Sequence, residues 1–342
     1  MVTLSTARHP ATADPGKVRG LQRIASVDGF FLVCAIDHLR DFAELVPGEY
    51  GPASFAEVVV AKDAVVRAFA ASVSAFLLDP VYALGHLLLS GALPRGVGLI
   101  SGVEDEDYLS AAGARETTFR LGWGPRKIRL AGADACKVLW FYRPDGDPAV
   151  AARQRDVVRY LVDDCRELSL PLILEPIWFP LPGEDQSSAS WRSRRAQGIV
   201  SSAIEANQLG IDLLKVEFPG YVNSERDQSR AAAACQELDA GIDVPWVLLS
   251  AGVGYAAFAT QMRIAGEAGA SGFMAGRSIW RDAVATKELA ARPAALAQAR
   301  DRLEELAAIT RRHGHPHFPV RPLPEVLQAL PDGWYRNWAQ TS

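Results

Sequence analysis

IDLLKVEFPG, residues 211–220, is the stretch whose reading decides the fold. Leu213, Leu214, Val216 and Phe218 form an apolar run of strand length, the pattern of a parallel strand covered on both faces. Lys215 stands in its middle, with Glu217 two places on. An ammonium in such a run is costly to bury, so it needs a carboxylate partner or must lose its proton. A neutral lysine amine is a nucleophile that forms Schiff bases with carbonyls. Taken alone, the stretch leaves a structural ion pair and a reactive amine equally open.

Working outward, apolar runs and helical patterns alternate. After a short helix over 17–26, FFLVCAID (30–37) reads as a strand ending on Asp37. Residues 54–72 repeat Phe55, Val58, Val59, Ala61, Val65, Val66 and Phe69 at helical spacing. AFLLDP gives a second strand ending on Asp79, and a short helical passage leads to a third strand over 96–103. ACKVLWFY (135–142), PLILEPI (171–177), the LLKVEF segment, PWVLLSAG (245–252) and GFMAGRSI (272–279) supply five more. Helices are expected to about Leu168, over 191–209, 226–238 and 255–268, and near 284–309. Eight strand–helix units in one chain predict a closed (β/α)8 TIM barrel, with an open doubly wound sheet as the fallback. The expected organisation is a flexible tail over 1–15, a single barrel domain over 16–310, and a Pro- and aromatic-rich tail over 311–342. That last tail, with Trp334, Tyr335 and Trp338, would pack on the barrel or on a neighbouring subunit of a homo-oligomer.

Composition bounds the function classes. The chain has 342 residues, 49% hydrophobic and 22% charged, as in a globular protein with a sizeable core. A formal charge of -4 gives no electrostatic footprint for nucleic acid. No apolar run approaches the roughly 18–20 residues of a membrane span. The first twenty residues lack the apolar core of a secretory signal. Cys34, Cys136, Cys165 and Cys235 form no CxxC pair and read as reduced thiols of a cytoplasmic protein.

In such barrels the chemistry lies where strands end and the following loops begin. That places Asp37, Asp79, Glu104, Lys137, Glu175, Lys215, Ser250, Gly252, Gly276 and Arg277 at or near one face. Period-2 alternation puts Lys137 with Leu139 and Phe141 on one side of strand four, and Leu213, Lys215 and Glu217 on one side of strand six. Both strands are even-numbered, so the two lysines can share a layer of the interior. A Lys137 ammonium would lower the pKa of Lys215 by like-charge repulsion. Lys215 would attack a ketone, and Glu175 would shuttle protons. The competing reading is a buried ion network that only holds the barrel together, at several kcal/mol per interior charge unless compensated. On strands seven and eight, LSAGVG and MAGRSIW offer Ser250, Gly252 and Gly276 for close backbone approach to an anion, with Arg277 for a bidentate contact.

DLLKVEFP, ILEPI, ACKVLWFYRPDGD, PWVLLSAGV and GASGFMAGRSIW together resemble the LacD-type class I aldolases, over about residues 29–283. LLDPVYAL (77–84) is similar to the family's second-strand motif LDPEYGL. The resemblance implies a TIM barrel that cleaves or forms a ketose phosphate with no metal and no cofactor. By motif match it gives Lys215 the Schiff-base position, Glu175 the acid/base position and Lys137 the supporting one. Asp37 matches the aspartate ending strand one. Ser250, Gly252, Gly276 and Arg277 match the phosphate site for dihydroxyacetone phosphate. The family's Asp-Gln-Arg is replaced here by Asp37, His38, Leu39 and Arg40, which places His38 and Arg40, with Asp79, among the substrate-contacting candidates. ILEPI resembles the sulfosugar branch, and GDP after YRPD the tagatose branch. Tagatose 1,6-bisphosphate, a sulfofructose phosphate and another keto sugar therefore all stay open.

Other chemistries fit less well. A metal-dependent aldolase needs several histidine ligands, and none of His9, His38, His86, His313, His315 and His317 lies in a strand core; HGHPH reads as a polar loop. GVGLISG does not match GxGxxG. Cys34 and Cys136 have no evident histidine partner for acyl transfer. The acidic run over 101–107 reads as a solvated loop, with Glu104 as its one candidate for the mouth. A non-catalytic sugar-phosphate-binding barrel predicts loss of Lys215 or Glu175, and both are present.

Overall fold

The computed structural model describes residues 14–49, 51–106, 115–336 and 338. The expected N-terminal tail lies almost wholly outside the described residues. Eight parallel strands close into a barrel in sequence order: β1 (Phe31–Ala35), β2 (Ala75–Leu78), β3 (Gly98–Gly102), β4 (Ala135–Phe141), β5 (Leu172–Ile177), β6 (Leu213–Val216), β7 (Trp246–Leu249) and β8 (Gly272–Ala275). The helices that cover them run in chain order as α1 (Pro15–Ile24), α2 (Arg40–Ala43), α3 (Phe55–Phe69), α4 (Leu84–Leu89), α5 (Pro125–Leu130), α6 (Pro148–Glu167), α7 (Ala189–Asn207), α8 (Glu225–Ala240), α9 (Tyr255–Ala268), α10 (Arg277–Val284), α11 (Arg292–His313) and α12 (Leu323–Ala329). Their starts follow local chemistry. Ser54 and Glu57 form a capping box at α3, and Asp147 with Pro148 starts α6.

Alternation along each strand divides the core in two. Outward-facing residues such as Leu32, Cys34, Phe76, Cys136, Leu174 and Leu214 pack under the helices. Inward-facing Phe31, Val33, Leu77, Ile100, Ile173, Leu213, Val247 and Met274 fill the lower barrel. Leu21 and Ile24 of α1 join that inner cluster and plug the N-terminal end. Further up, the inward positions turn polar, with Lys137, Glu175 and Lys215 all buried.

Three elements differ from the pattern read in the sequence. β8 stops at Ala275, and Arg277–Val284 is a helix whose N-cap is Gly276. The apolar run that suggested a strand to 279 is instead the buried face of α10, with Ile279, Trp280 and Ala283. Helix α5 sits between β3 and β4, where the sequence suggested none. The closing helix begins at Arg292 rather than near 284. The HGHPH segment runs under the N-terminal end of the barrel: the backbone N–H of His315 donates to the Ala270 carbonyl at 3.0 Å and that of His317 to Gly29 at 2.8 Å. Beyond it, α12 buries none of its residues. Among the described residues, no helix is long and apolar enough to cross a membrane.

Candidate active site

β4, β5 and β6 bring three ionisable side chains, Lys137, Glu175 and Lys215, together inside the upper barrel. Registry pairs Leu139 with Glu175, and Ile173 with both Lys137 and Leu213, so Glu175 projects between the two lysine strands. Glu175 Oε2 lies 2.6 Å from Lys137 Nζ, and Oε1 lies 3.0 Å from Lys215 Nζ. One carboxylate thus bridges both lysines, and the like-charge field of Lys137 on Lys215 acts across an anion rather than directly. Lys137 also donates to Glu104 and lies 3.4 Å from Asp37 Oδ2. Burial works against the Lys137 ammonium, but Glu104, Glu175 and Asp37 outweigh it and hold its pKa well above that of an ordinary lysine. Burial would likewise raise Asp37 and Glu175. The Lys137 and Lys215 charges overcome it and pull both carboxyls down. Lys137 is therefore a fixed cation and Asp37 and Glu175 are anions near neutral pH.

A cavity of about 230 Å³ opens above this cluster. Asp37, His38, Arg40, Asp79, Lys137, Glu175, Lys215 and Arg277 line it. Ser250, Gly252 and Gly276 do not; they lie behind Arg277, around the start of α10. The β7 loop there is tightly wound, with Ala251 at φ 46° and Gly252 at φ 71°, a left-handed pair that glycine tolerates and alanine resists. A Cβ on Gly252 would stand 3.0 Å from an Arg281 guanidinium nitrogen and 3.5 Å from Arg277 Nε, so both arginines close on that glycine. A Cβ on Gly276 would stand 2.9 Å from the Ala35 carbonyl, which explains glycine at the cap. The first N–H groups of α10 have no intrahelical partner, and with two arginines beside them this corner is suited to an anion. Arg277 Nη1 is held 2.6 Å from Asp41 Oδ2.

Several residues behave differently from the sequence expectation. Glu217 does not share the cavity with Lys215. β6 ends at Val216, and Glu217 turns to Arg195 at 2.7 Å and the Trp178 backbone N–H at 2.9 Å. The acidic run after β3 is not a solvated loop. Glu104 binds Lys137, Asp105 pairs with Arg120 at 2.9 Å, and Glu106 accepts from the Leu39 N–H at 2.7 Å; Asp107 lies outside the described residues. Glu104 lines the cavity, as its place at a strand end signalled, whereas Arg281 had no sequence signal beyond its spacing from Arg277.

Asp79 is occupied structurally. Its Oδ1 accepts from Val81 and Tyr82 N–H at 2.9 and 2.6 Å, and its Oδ2 pairs with Lys62 of α3. Lys62 is fully buried and also donates to the Ile36 and His38 carbonyls at 2.7 and 2.8 Å. It therefore ties down the chain on both sides of Asp37. Lys62→Met keeps the volume but strands the Asp79 charge, so stability should fall by about 3–5 kcal/mol. Urea unfolding reads the change, and an unchanged midpoint would refute this account of the pair.

His38 faces the cavity with 27% of its side chain exposed, its ring edge-on to Trp280. Burial among its neighbours pushes its pKa down to about 4; Asp37 opposes this and Arg277 adds to it. The imidazole is neutral at pH 7. An unfolded histidine titrates near ~6.5, so between the two values the unfolded chain binds the extra proton and stability falls as pH drops through that window. His38→Gln should flatten this limb, by at most about 1.4 kcal/mol per pH unit. Unfolding midpoints stepped across the window read it, and identical slopes in the two proteins would count against it.

Comparison with known proteins gives a consistent answer. Residues 43–282 match the family model described as "DeoC/LacD family aldolase". Tagatose 1,6-diphosphate aldolase 2 of Streptococcus mutans is 30% identical over 224 residues, 62% of this chain and 67% of that protein. Tagatose 1,6-diphosphate aldolase 2 of Enterococcus faecalis is 27% identical over 286 residues, 80% of this chain and 86% of that protein. Among solved structures, a Schiff-base-forming fructose-1,6-bisphosphate aldolase superposes with a TM-score of 0.58 at 15% identity, covering 86% of this chain and 99% of that one. The match spans well over half the sequence and agrees with the closed eight-stranded barrel: the chain belongs to the DeoC/LacD family of aldolases.

Proposed function

We propose that this protein is a class I aldolase in which Lys215 forms a Schiff base with a ketose phosphate and releases dihydroxyacetone phosphate and an aldehyde. The observation that carries this reading is the pair of buried lysines bridged by one carboxylate above an open cavity. Two tagatose 1,6-diphosphate aldolases at 27–30% identity favour tagatose 1,6-bisphosphate as substrate. A sulfofructose phosphate or another keto sugar uses the same chemistry.

The neutral Lys215 amine adds to the C2 ketone, and the carbinolamine loses water to give an iminium. A base takes the C4 hydroxyl proton, the C3–C4 bond breaks, and its electron pair moves into the iminium to form an enamine as the aldehyde leaves. The enamine is protonated at C3, and water hydrolyses the iminium to regenerate the amine. Glu175 Oε1 lies 3.0 Å from Lys215 Nζ and both groups line the cavity, which fits the carboxylate for these proton transfers. Lys137 stays cationic and keeps Glu175 ionised between turns.

Borohydride reduction in the presence of dihydroxyacetone phosphate and EDTA, read by intact mass and peptide mapping, tests the proposal. An adduct on Lys215 is expected. An adduct on Lys137 would reverse the two roles, and no adduct on a folded protein would remove dihydroxyacetone phosphate as the donor.

A further inference from the structure

Resting on the Schiff-base reading above, we infer that Lys62 of α3, which does not itself line the cavity, is a positioning residue for the reaction: it sets Asp37 and His38 at the mouth by holding the backbone on either side of them. An ammonium carries three N–H donors. Lys62 directs one each at the Ile36 carbonyl at 2.7 Å, the His38 carbonyl at 2.8 Å and Asp79 Oδ2. Burial pulls its pKa down and Asp79 opposes this, while three acceptors around one nitrogen call for all three protons. The pair with Asp79 would alone answer the buried charge. The two remaining donors go to the carbonyls that bracket Asp37 and His38, and both of those side chains line the cavity. β1 ends at Ala35, so the bracketed residues lie beyond the strand, where a lysine head stands in for a neighbouring strand as donor. The next two backbone groups are held from the other side, with the Leu39 and Arg40 N–H groups 2.7 and 3.1 Å from the Glu106 carboxylate oxygens.

From that fixed backbone Asp37 reaches in two directions. Its Oδ2 lies 3.4 Å from Lys137 Nζ and its Oδ1 lies 3.5 Å from His38 Nδ1. Asp37 offsets part of the Lys137 charge and so raises the proton affinity of Glu175. With Asp37 displaced, Lys137 bears harder on Glu175 and leaves it a weaker base for the proton transfers proposed above. A misplacement of about 1 Å in such a constellation costs up to about 10^2-fold in rate. The Lys62 side chain thus acts on the chemistry through the peptide groups it holds, without contact with the substrate.

Combining Lys62→Met with Asp79→Asn removes one buried charge of each sign. The double variant relieves the stranded carboxylate of Lys62→Met yet still leaves the two carbonyls without their donor. Two readouts are taken on the full-length protein. Deuterium incorporation from D2O into dihydroxyacetone phosphate, followed by NMR, reports enamine formation and needs no aldehyde. The His38 imidazole signal, assigned by its loss in His38→Gln, reports position and needs no catalysis. The urea midpoint of the double variant should recover from that of Lys62→Met towards wild type, while exchange stays about 10–100-fold low. Held among Asp37, Arg277, Lys215 and Glu175, the wild-type imidazole has its pKa pushed down to about 4. Loosened into water in the double variant, it should titrate about one pH unit or more higher, towards the ordinary ~6.5. Exchange that recovers together with stability would overturn the inference, as would an unmoved His38 titration or a double variant that does not fold. Absence of a borohydride adduct in the wild-type protein instead overturns the aldolase reading, and the His38 titration still decides whether Lys62 sets the mouth.

Discussion

Lys215→Met should abolish the borohydride-trapped adduct and lower turnover by about 10^5-fold or more, the scale on which loss of a covalent nucleophile shows elsewhere. Methionine nearly preserves the side-chain volume, and Glu175 keeps Lys137 as its partner 2.6 Å away. The fold should therefore survive, with a stability loss below about 3 kcal/mol. The two readouts must diverge: a folded protein with no adduct. A variant that still traps dihydroxyacetone phosphate at another lysine would mean that the amine has been assigned to the wrong strand.

Glu175→Gln should damage both function and stability. It removes the one carboxylate in contact with both buried lysines. Glutamine cannot take the proton that carbinolamine dehydration and C–C cleavage must pass, so kcat should fall by about 10^2–10^4-fold. Leaving Lys215 without its carboxylate should cost about 3–5 kcal/mol at neutral pH. The pH dependence separates this from a packing defect. The folded-state pKa of Glu175 is lowered, so its stabilisation is present above the ordinary glutamate value and is lost as pH falls through the folded one. Urea midpoints of the two proteins should differ most near neutrality and converge in acid. A gap that stays constant with pH would show that the carboxylate charge is not what stabilises the barrel there.

The barrel was legible because its signal is local and repeated eight times. Each strand is a short apolar run, and polar residues break the runs only near strand ends or at the two intruding lysines. Lys137, Glu175 and Lys215 stood out because an ionisable group in such a run demands a partner. Lys62 gave no such signal. In VVVAKDAVV it reads as part of the polar face of an amphipathic helix, and its partners Ile36, His38 and Asp79 are far away in sequence. The end of β8 was missed for a related reason. An apolar strand and the buried face of the following helix are separated only by Gly276, Arg277 and Ser278, so the run reads as one element. The loop after β3 was misjudged because charge runs usually face water. Here their partners are supplied by β4, by the loop after β1, and by Arg120 further along the chain.

The plug formed by Leu21 and Ile24 beneath an apolar lower barrel bears on the order of events in the proposed turnover. With the bottom closed by packed hydrocarbon, the cavity above Lys215 is the way in that the described residues leave open. In the proposed reaction, the water expelled when the imine forms, the aldehyde released on cleavage and the water that later hydrolyses the imine would all share that passage. An aldehyde still in it would stand in the path of the hydrolytic water, which would tie hydrolysis to the exit of the first product.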